Sequence, residues 1–384
     1  MGVAIVAVIG AVLVTGRANG PLRTADGRVA TGLPSASPSR PGHEVYGFVP
    51  YWEIDNDIAA HLRETDATTI ALFSVTHTGK GTLGTTHSGY RRIDGPIGRQ
   101  VIAEAHQRGR RVDATWTSFG KAKNRSLFGT QALQDKVIAS LVAFRAELDL
   151  DGLAVDVESI DDADIPAYGA FIERLRAALV AANPAATLTV ATGAGRQGAA
   201  LALAASLAGA DRIFLMGYDY RTASSQPGAS APIARRDGDE RSLAWSLDLY
   251  AGLGIPSSRT ILGLPLYGLA WPTADAEVGA PSTGGGDIWV PRRNLATLRD
   301  PAVTTGYDDI EDVGFLARRD GASWQSIYYD TPRSLRPKLG LANDRGLAGA
   351  GFWALGYERG LPEYTDLIAA FRLGQTMTVA AGGP

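Results

Sequence analysis

Cysteine is absent from this 384-residue chain, and histidine, with five residues, is scarce. Without cysteine the chain has no disulfide bond, no thiolate nucleophile and no cysteine-ligated metal site. His77 and His87, with Asp113 far from both in the sequence, lack the spacing of a metal site. We therefore predict no metal and no other cofactor, and we expect the histidines to lie at the surface or to be hydrogen-bonded.

A marked excess of charge of one sign is also missing. The chain has 37 lysine and arginine residues against 40 aspartate and glutamate residues, which gives a formal net charge of −3. This balance supplies no electrostatic reason to expect nucleic acid or an anionic membrane surface as a partner. Hydrophobic residues make up 45% of the chain and charged residues 20%, as in soluble globular proteins with a large core. We expect a monomer with a neutral ligand.

The apolar run VAIVAVIGAVLV near the amino terminus is too short to span a bilayer comfortably. Ala18 and Gly20 follow it and suit signal-peptidase cleavage, although no Lys or Arg precedes the run. We predict a signal peptide or membrane anchor at residues 1–20, a flexible linker at 21–43 and a folded catalytic domain at 44–375; the alternative for the apolar run is a buried strand. The protein is accordingly expected to be secreted or associated with the cell envelope, with the anchor as its only membrane contact.

From Glu44 onward, short segments rich in β-branched and aromatic residues alternate with amphipathic, alanine-rich segments. The eight strand-like segments are 45–51, 68–76, 110–116, 151–157, 187–193, 212–218, 260–268 and 349–356. Helix-like segments include 131–147, 167–182 and 241–252. Eight such units predict an α/β protein with a (β/α)8 TIM barrel in preference to an open doubly wound sheet.

One interval breaks this alternation, because about 80 residues separate the seventh predicted strand from the eighth. It contains three consecutive glycines at 284–286 and strand-like pieces around Trp289 and at 327–330. We predict a small α+β insertion at about residues 269–326, between strand 7 and helix 7. The carboxyl ends of barrel strands carry the catalytic groups of this fold, so an insertion there can wall a substrate groove.

The segment DGLAVDVE, residues 151–158, places two carboxylates on one face of a strand. Side chains alternate along a strand, so Asp156 and Glu158 point the same way, opposite to Val155 and Val157. Two carboxylates in one buried site repel each other, and one of them must keep or share a proton. The alternative is a strand end whose acidic side chains are solvated.

DGLAVDVE also resembles the signature DxxDxDxE of glycoside hydrolase family 18, the chitinase-like retaining glycosidases. Asp151, Asp156 and Glu158 are in register with that signature, whereas Ala154 stands where the family usually has a further Asp. In the family this inner Asp shares a proton with the middle one. Without it, Asp156 has only Glu158 as a close acidic neighbour, and we expect the pair to share a proton that sits mostly on Glu158.

Three further motifs carry the resemblance along most of residues 44–372. MGYDY at 216–220 is similar to the sixth-strand motif of the family, and GLPLYG at 263–268 to its seventh-strand motif. Residues 328–358 resemble its closing segment, in which a Trp forms the floor of the sugar subsite. Ser159 and Ile160, which follow the signature, are more similar to the bacterial spore-lytic and envelope branch than to classical chitinases.

The resemblance implies substrate-assisted hydrolysis of a polymer with β-linked N-acetylglucosamine, such as chitin, chitooligosaccharides, peptidoglycan or an N-linked glycan. The acetamido oxygen of the sugar would attack its own anomeric carbon, with Glu158 as the acid and then the base, and Asp156 holding the acetamido N–H. Tyr218 would donate a hydrogen bond to the acetamido oxygen. The other implied residues are Asp219, Trp353, Met216, Phe48 and Trp52 for substrate binding, with Trp353 as the floor, and Asp151 and Gly152 as structural parts of the signature.

Two other functions fit parts of the sequence. Because Ala154 departs from the signature, a non-catalytic glycan-binding lectin on the same fold is the first alternative, although the retained Glu158 argues against it. GAGRQG at 193–198 follows a strand, precedes a helix and has Asp219 about 20 residues further on, as in a dinucleotide-binding oxidoreductase. This second alternative is remote, because the unit is the fifth of eight similar ones.

Several aromatic residues fall near predicted strand ends or in the insertion: Tyr51, Trp52, Trp116, Trp271 and Trp289. Platforms on which sugars stack would lie in these places, since an aromatic ring offers a flat apolar face. Core packing is an equal alternative for each of them.

Overall fold

The computed structural model describes residues 42–375. The predicted signal peptide or anchor and nearly all of the predicted linker lie outside these residues. His43, the last residue assigned to the linker, already belongs to the fold, because its ring stacks on Phe371 with 4.6 Å between centroids. None of the helices in the described part of the chain is long and apolar enough to cross a membrane.

The described residues form thirteen strands and eleven α-helices. The strands are β1 (Glu44–Pro50), β2 (Thr69–Thr76), β3 (Arg111–Phe119), β4 (Gly152–Glu158), β5 (Thr187–Gly193), β6 (Arg212–Met216), β7 (Thr260–Pro265), β8 (Gly268–Thr273), β9 (Asp287–Trp289), β10 (Thr304–Asp308), β11 (Val313–Asp320), β12 (Ser323–Tyr329) and β13 (Gly349–Trp353). The helices are α1 (Ile58–Glu64), α2 (Ser88–Ile93), α3 (Pro96–Gln107), α4 (Lys121–Phe128), α5 (Gln131–Glu147), α6 (Ile165–Ala182), α7 (Arg196–Leu207), α8 (Leu243–Gly252), α9 (Leu295–Leu298), α10 (Pro332–Asp344) and α11 (Pro362–Arg372).

Eight parallel strands close into a barrel in the order β1-β13-β7-β6-β5-β4-β3-β2. Their side chains are buried almost throughout, as expected when helices cover the outside of a parallel sheet and side chains fill its inside. The predicted (β/α)8 barrel is thereby confirmed. The predicted boundaries are close as well: 187–193 and 131–147 coincide with β5 and α5.

Local sequence explains where several of these elements begin and end. Helix α6 ends before Pro184, and Asn183 adopts an extended conformation with φ of −154°, as residues before proline do. Helix α10 starts with a capping box, in which Thr331 and Ser334 each accept a hydrogen bond from the other's backbone N–H. Such ends set the lengths of the helices that return the chain to the next barrel strand.

Aromatic side chains fill the inside of the barrel. Tyr46 and Phe48 of β1 pack against Phe214 of β6, with ring centroids 5.9 and 4.9 Å from it. Phe214 fits because two nearby strands, β7 and β13, carry glycine opposite its ring. A Cβ added to Gly263 of β7 or to Gly351 of β13 would lie 2.4 Å from that ring. This layer closes the barrel beneath its carboxyl-terminal mouth.

The interval between β7 and α10 forms a separate antiparallel sheet, with the strand order β10-β11-β12-β8-β9. This finding confirms the predicted insertion, which runs from Gly268 to Tyr329 in this sheet. Ion pairs tie it to the loop after β6: the Arg221 guanidinium lies 2.5 Å from Glu311, and that of Arg236 lies 2.5 Å from Asp308. The insertion therefore stands beside the mouth of the barrel as a wall.

Candidate active site

The end of β4 brings Asp156 and Glu158 to the mouth of the barrel. Asp156 pairs in register with Thr117 of β3, and Glu158 with Phe119. Asp156 is 5% exposed, whereas Glu158 is open to solvent. Ala154, one step below on the same face, is fully buried among the aromatic side chains of the barrel interior. The predicted alternation is thus present, with one carboxylate enclosed and the next at the surface of a cleft.

Three carboxylates at this mouth lack a cationic partner. Among the described residues, none of Asp156, Glu158 and Asp219 forms an ion pair with a Lys, Arg or His side chain within 4 Å. Burial and then the charge of Glu158 hold the pKa of Asp156 well above its ordinary value. Partial burial in the cleft and then the charge of Asp219 raise the pKa of Glu158. Both effects favour protonated acids, so the site retains protons at a pH where exposed carboxylates have lost theirs.

Burial in the empty cleft favours a different position for the shared proton from the sequence-based expectation, which placed it mostly on Glu158. Asp156 is the more deeply buried of the two, and its Oδ1 has no hydrogen-bond partner. A buried carboxylate without a donor is costly when charged, so burial favours the proton on Asp156 while the cleft is empty of substrate. This argument depends on burial, which the alternation of side chains along a strand does not reveal.

Asp219 follows β6 and is held by two residues that the sequence analysis did not assign to the site. The Tyr267 hydroxyl donates a hydrogen bond to Asp219 Oδ1, and Ser230 Oγ lies 3.5 Å from the same oxygen. Both hydrogen bonds lower the pKa of Asp219, but burial is the larger effect and raises it overall. Asp219 has a φ of 61°, a left-handed conformation that non-glycine residues adopt rarely and often at functional sites. Tyr267 lies within the GLPLYG motif, which was the available signal.

Tyr218 lines the same cleft, and its ring centroid lies 6.1 Å from that of Tyr267. Burial raises the pKa of Tyr218 well above its ordinary value, and the charges of Asp156, Asp219 and Glu158 raise it further. Its hydroxyl therefore stays protonated at neutral pH and is available as a hydrogen-bond donor.

The floor of the cleft is aromatic. Trp353, at the end of β13, contacts Phe73 edge-on with 4.7 Å between ring centroids and Phe48 at 5.7 Å. Trp52 stands beside it at 6.4 Å, is 42% exposed and donates from Nε1 to the Tyr357 hydroxyl at 3.1 Å. Phe48 is itself almost fully buried and supports the exposed face of Trp353 from below. A sugar ring can stack on such a surface.

The cleft above this floor has a volume of about 850 Å³. Met216 lines it, as do Phe48, Trp52, Asp156, Glu158, Tyr218, Asp219 and Trp353, so every predicted catalytic and substrate-binding residue faces one cleft. One arm of the cleft extends over the ends of β2 and β3, where Thr76, His87, Phe119 and Lys123 line it. The other arm extends over the ends of β5 and β6, past Tyr220, Arg241 and Trp245, and Ile288 of the insertion lines it too.

Asp151 and Gly152 lie away from the cleft, at the start of β4. Asp151 Oδ2 accepts hydrogen bonds from the Val112 backbone N–H at 2.7 Å and from His106 Nε2 at 2.9 Å, which ties β4 to its neighbouring strand and helix α3. A Cβ on Gly152 would lie 2.4 Å from the Thr187 carbonyl oxygen and 2.7 Å from Asp113 Oδ1. These contacts agree with a structural role for both residues.

Three of the candidate sugar platforms lie in the core. Trp116 and Trp271 are fully buried and Trp289 is 4% exposed, so none of them can stack on a sugar without rearrangement.

The expectation that the histidines lie at the surface or are hydrogen-bonded is wrong for His77, which is buried and whose Nδ1 has no hydrogen-bond partner. Among residues 42–375, no three His, Asp or Glu side chains form a cluster that could hold a metal ion.

In the GAGRQG segment, Gly198 has a packing explanation. A Cβ on Gly198 would lie 1.8 Å from the Gly193 carbonyl oxygen, so glycine is needed where α7 crosses the end of β5. The Gly193 carbonyl oxygen accepts a hydrogen bond from the Tyr250 hydroxyl at 2.7 Å, and the Ala194 carbonyl oxygen accepts one from Ser246 at 2.8 Å. Close packing of helix on strand thus explains Gly198, whereas a Cβ on Gly193 or Gly195 would meet no atom within 4 Å.

Comparison with known proteins identifies the fold that holds this cleft. The sequence profile of glycosyl hydrolases family 18 matches residues 44–358. The chain belongs to glycosyl hydrolase family 18. Family 18 membership accounts for all four motifs, from DGLAVDVE to the closing segment.

Known members show how far the similarity extends. Chitotriosidase-1 of Mus musculus is 25% identical over 279 residues, which cover 62% of this chain and 56% of that protein. The chain spans about half the length of the curated relatives it matches. The second catalytic domain of the Group II chitinase of Ostrinia furnacalis superposes with a TM-score of 0.75 at 18% identity, over 87% of this chain and 97% of that one. The spore cortex-lytic enzyme SleL of Bacillus megaterium superposes with 0.69 at 19% identity, over 89% and 77%; such identities establish the fold alone.

Proposed function

We propose that this protein is a retaining glycosidase that hydrolyses polymers containing β-linked N-acetylglucosamine by substrate-assisted catalysis. The observation that carries the proposal is the pair Asp156 and Glu158, which shares one cleft with an aromatic floor at Trp353. Among residues 42–375, no Lys, Arg or His side chain forms an ion pair with either acid within 4 Å. A pair of acids that resists double ionisation is suited to proton transfer. Membership of family 18 and chitinase names among its relatives support the same reaction class.

In the first step the sugar lies over Trp353 with its glycosidic oxygen beside Glu158. Glu158 donates its proton to that oxygen as the bond to the anomeric carbon breaks, while the acetamido oxygen of the same sugar forms a new bond to that carbon. The protonated hydroxyl of Tyr218 donates a hydrogen bond to the acetamido group and holds it for attack. The product is an oxazolinium ion, whose positive charge Asp156 offsets.

Substrate also moves the shared proton to where the reaction needs it. When the acetamido N–H donates to Asp156, it stabilises the ionised form of that carboxylate and lowers its pKa. The single proton of the pair then resides on Glu158, beside the leaving oxygen. Glu158 therefore holds the proton that it donates only when a sugar with an acetamido group is bound. This requirement favours N-acetylated substrates.

In the second step water opens the oxazolinium ion. Glu158, now ionised, takes a proton from the water as its oxygen attacks the anomeric carbon, and the bond to the acetamido oxygen breaks. Attack comes from the face that the leaving group left, so the product retains the β configuration. An extracellular polymer as substrate agrees with the export expected from residues 1–20.

Product analysis tests this function against the lectin alternative. The purified protein is incubated with chitooligosaccharides, with their de-N-acetylated counterparts and with peptidoglycan sacculi, and the products are measured by mass spectrometry. We expect cleavage only where the reacting sugar carries an acetamido group. Binding by calorimetry without any shortened product would instead support a lectin, and cleavage of the free-amine oligosaccharide would contradict assistance by the acetamido group.

A further inference from the structure

A lysine side chain enters the catalytic cleft without a counter-charge. Lys123 lies in α4, directly after β3, and lines the arm of the cleft over the ends of β2 and β3. Its Nζ donates a hydrogen bond to Thr76 Oγ1 at 2.5 Å, and that hydroxyl donates onward to the Thr117 carbonyl oxygen at 2.9 Å. The ammonium group is thereby fixed in direction at the cleft wall.

No acidic side chain among residues 42–375 pairs with this ammonium group. Within the described part of the chain Lys123 has no ion pair, and burial lowers its pKa with no nearby carboxylate to offset the loss. The other lysines with fixed positions differ: Lys121 lies 3.3 Å from Asp161, and the fully buried Lys338 pairs with Asp330. A half-buried cation is normally paired, so an unpaired one in a ligand cleft indicates that the ligand supplies the negative charge.

The buried histidine beside Lys123 adds no charge of its own. His77 is 5% exposed, and burial followed by the charge of Lys123 lowers its pKa to about 4, so it is neutral at pH 7. Lys123 does not serve the catalytic acid either, since the pKa of Glu158 is set by burial and by Asp219 and is raised, the opposite of what a close cation would cause. The charge is therefore free to act on the substrate.

We propose that Lys123 forms a subsite for a carboxylate borne by the polysaccharide, so that the preferred substrate is an acidic polymer in which a carboxylate-bearing sugar neighbours the N-acetylglucosamine unit. This inference rests on the proposed function and narrows its substrate class. It revises the neutral ligand expected from the net charge of −3, because that charge is a sum over the chain and Lys123 acts locally. An ammonium–carboxylate hydrogen bond is among the stronger polar contacts available to a ligand.

The test compares two substrates of equal length in the full-length protein: a neutral chitooligosaccharide and a peptide-free oligosaccharide in which every second sugar carries a carboxylate ether. For Lys123→Gln we expect the ratio of kcat/KM, acidic over neutral, to fall about 10-fold or more, the loss typical of one charge-assisted hydrogen bond. Lys123→Arg keeps the charge and should retain most of the ratio. Lys121→Gln, two residues away in the same helix, is the matched control and should leave the ratio unchanged.

Salt provides a second measurement that needs no variant. For the wild-type protein, KM of the acidic oligosaccharide should rise between low and high NaCl concentration, whereas KM of the neutral one should change little, because salt screens exposed charge interactions. A third substrate, glycan strands that carry peptides, distinguishes a carboxylate on the sugar from one on an attached peptide. The carboxylate that binds Lys123 belongs to the acidic substrate whose kcat/KM, relative to that of the neutral one, falls in Lys123→Gln.

The outcomes separate the subsite from the catalytic proposal. An unchanged ratio in Lys123→Gln, together with equal salt dependence for both substrates, overturns the carboxylate subsite while hydrolysis still supports the glycosidase. If neither substrate is hydrolysed, the glycosidase proposal fails, and calorimetric binding of the acidic oligosaccharide to wild type and Lys123→Gln still decides the subsite: equal affinity overturns it and weaker binding to the variant supports it.

Discussion

Two groups of acidic side chains lie at the mouth of the same barrel and differ in their partners. Glu53 and Asp55 follow β1, and three guanidinium groups surround them: Arg359 lies 2.5 Å from Glu53 and 2.7 Å from Asp55, and Arg292 and Arg293 complete the cluster. Asp156 and Glu158 lie at the end of β4 and Asp219 follows β6, and within the described residues none of the three has such a partner. The residue types are the same, and the surrounding charges are not.

The difference in partners separates acids with a structural role from the acids that we propose for proton transfer. Burial would raise the pKa of Asp55, but the hydrogen bond and charge of Arg359 outweigh it and the pKa is lowered, so this acid stays ionised and joins the loops after β1 and β13. Burial raises the pKa values of Asp156 and Glu158 instead, and the charge of Glu158 on Asp156 and that of Asp219 on Glu158 raise them further. A carboxylate that keeps its proton can donate it, whereas a paired carboxylate cannot.

The largest effect is expected when Glu158, the proposed acid, is replaced. Glu158→Gln keeps the shape of the side chain but has no proton to donate, so kcat on a chitooligosaccharide should fall by about 10²- to 10⁴-fold while the dissociation constant changes little. Kinetics and calorimetry measure the two quantities, and Glu173→Gln on the exposed face of α6 is the control. Turnover above roughly a tenth of wild type would remove Glu158 from its role as the acid.

Substitutions in the cluster around Glu53 and Asp55 should change the stability of the protein. Arg359→Met removes the more buried of the two guanidinium groups that contact both Glu53 and Asp55. The free energy of unfolding should fall by at most about 3–5 kcal/mol, because Arg292 still contacts both carboxylates. Arg293→Met removes a more exposed partner, 3.3 Å from Glu53, and should cost less than about 1 kcal/mol. Urea unfolding measures both. Equal losses in the two variants would show that the buried Arg359 has no special weight in the cluster.

A buried acid below the mouth sharpens the comparison through pH. Asp113, 1% exposed, accepts a hydrogen bond from the Tyr46 hydroxyl at 2.9 Å, and burial raises its pKa to about 7. The folded state therefore binds a proton that the unfolded chain has lost, and this contribution to stability, complete below pH 4, disappears as the pH rises to about 7.

Asp113→Asn removes that pH dependence. Relative to wild type, the variant should gain roughly 2–4 kcal/mol in the free energy of unfolding between pH 4 and pH 8, with the exposed Asp366→Asn as control. Urea unfolding across the pH range provides the data. Parallel stability curves for wild type and Asp113→Asn would show that Asp113 is ionised in the folded protein.

The smallest effect is expected at Ala154, beneath Asp156 and Glu158. Ala154→Asp introduces a third carboxylate into an apolar, fully buried position, where the buried Thr115 Oγ1 on the neighbouring strand lacks a partner. We expect a loss of about 1–3 kcal/mol in stability and a shift of the acid limb in the pH profile of kcat/KM, because the new acid competes for the proton of the pair. Superimposable profiles would show that position 154 has no electrostatic effect on catalysis.

The barrel and most of the cleft could be predicted from the sequence, because they follow from local patterns. Apolar segments of strand length, separated by helices, identify a parallel barrel, and DGLAVDVE places Asp156 and Glu158 on one face. Trp353 was likewise found from its motif. The position of the insertion was also predicted. Its five-stranded antiparallel form was not, because that form depends on pairing between distant segments.

The contacts that the sequence did not predict depend on loops that meet in space. Ser230 reaches Asp219 through a loop that turns back over the barrel mouth, and Lys123 lies in a polar helix whose pattern suggests ordinary exposure. Trp116 and Trp271 are buried because neighbouring elements cover them, which strand ends alone do not indicate. The location of the shared proton also required burial, since Asp156 and Glu158 are equivalent in sequence pattern.

The most direct test of the central claim is the configuration of the first product. Early-time NMR of chitooligosaccharide hydrolysis by the wild-type protein reports the anomer before mutarotation mixes the two forms. Attack by the acetamido oxygen followed by water predicts the β-anomer as the first product. An α-anomer at the earliest times would mean direct displacement by water and would contradict the mechanism assigned to Asp156, Glu158 and Tyr218.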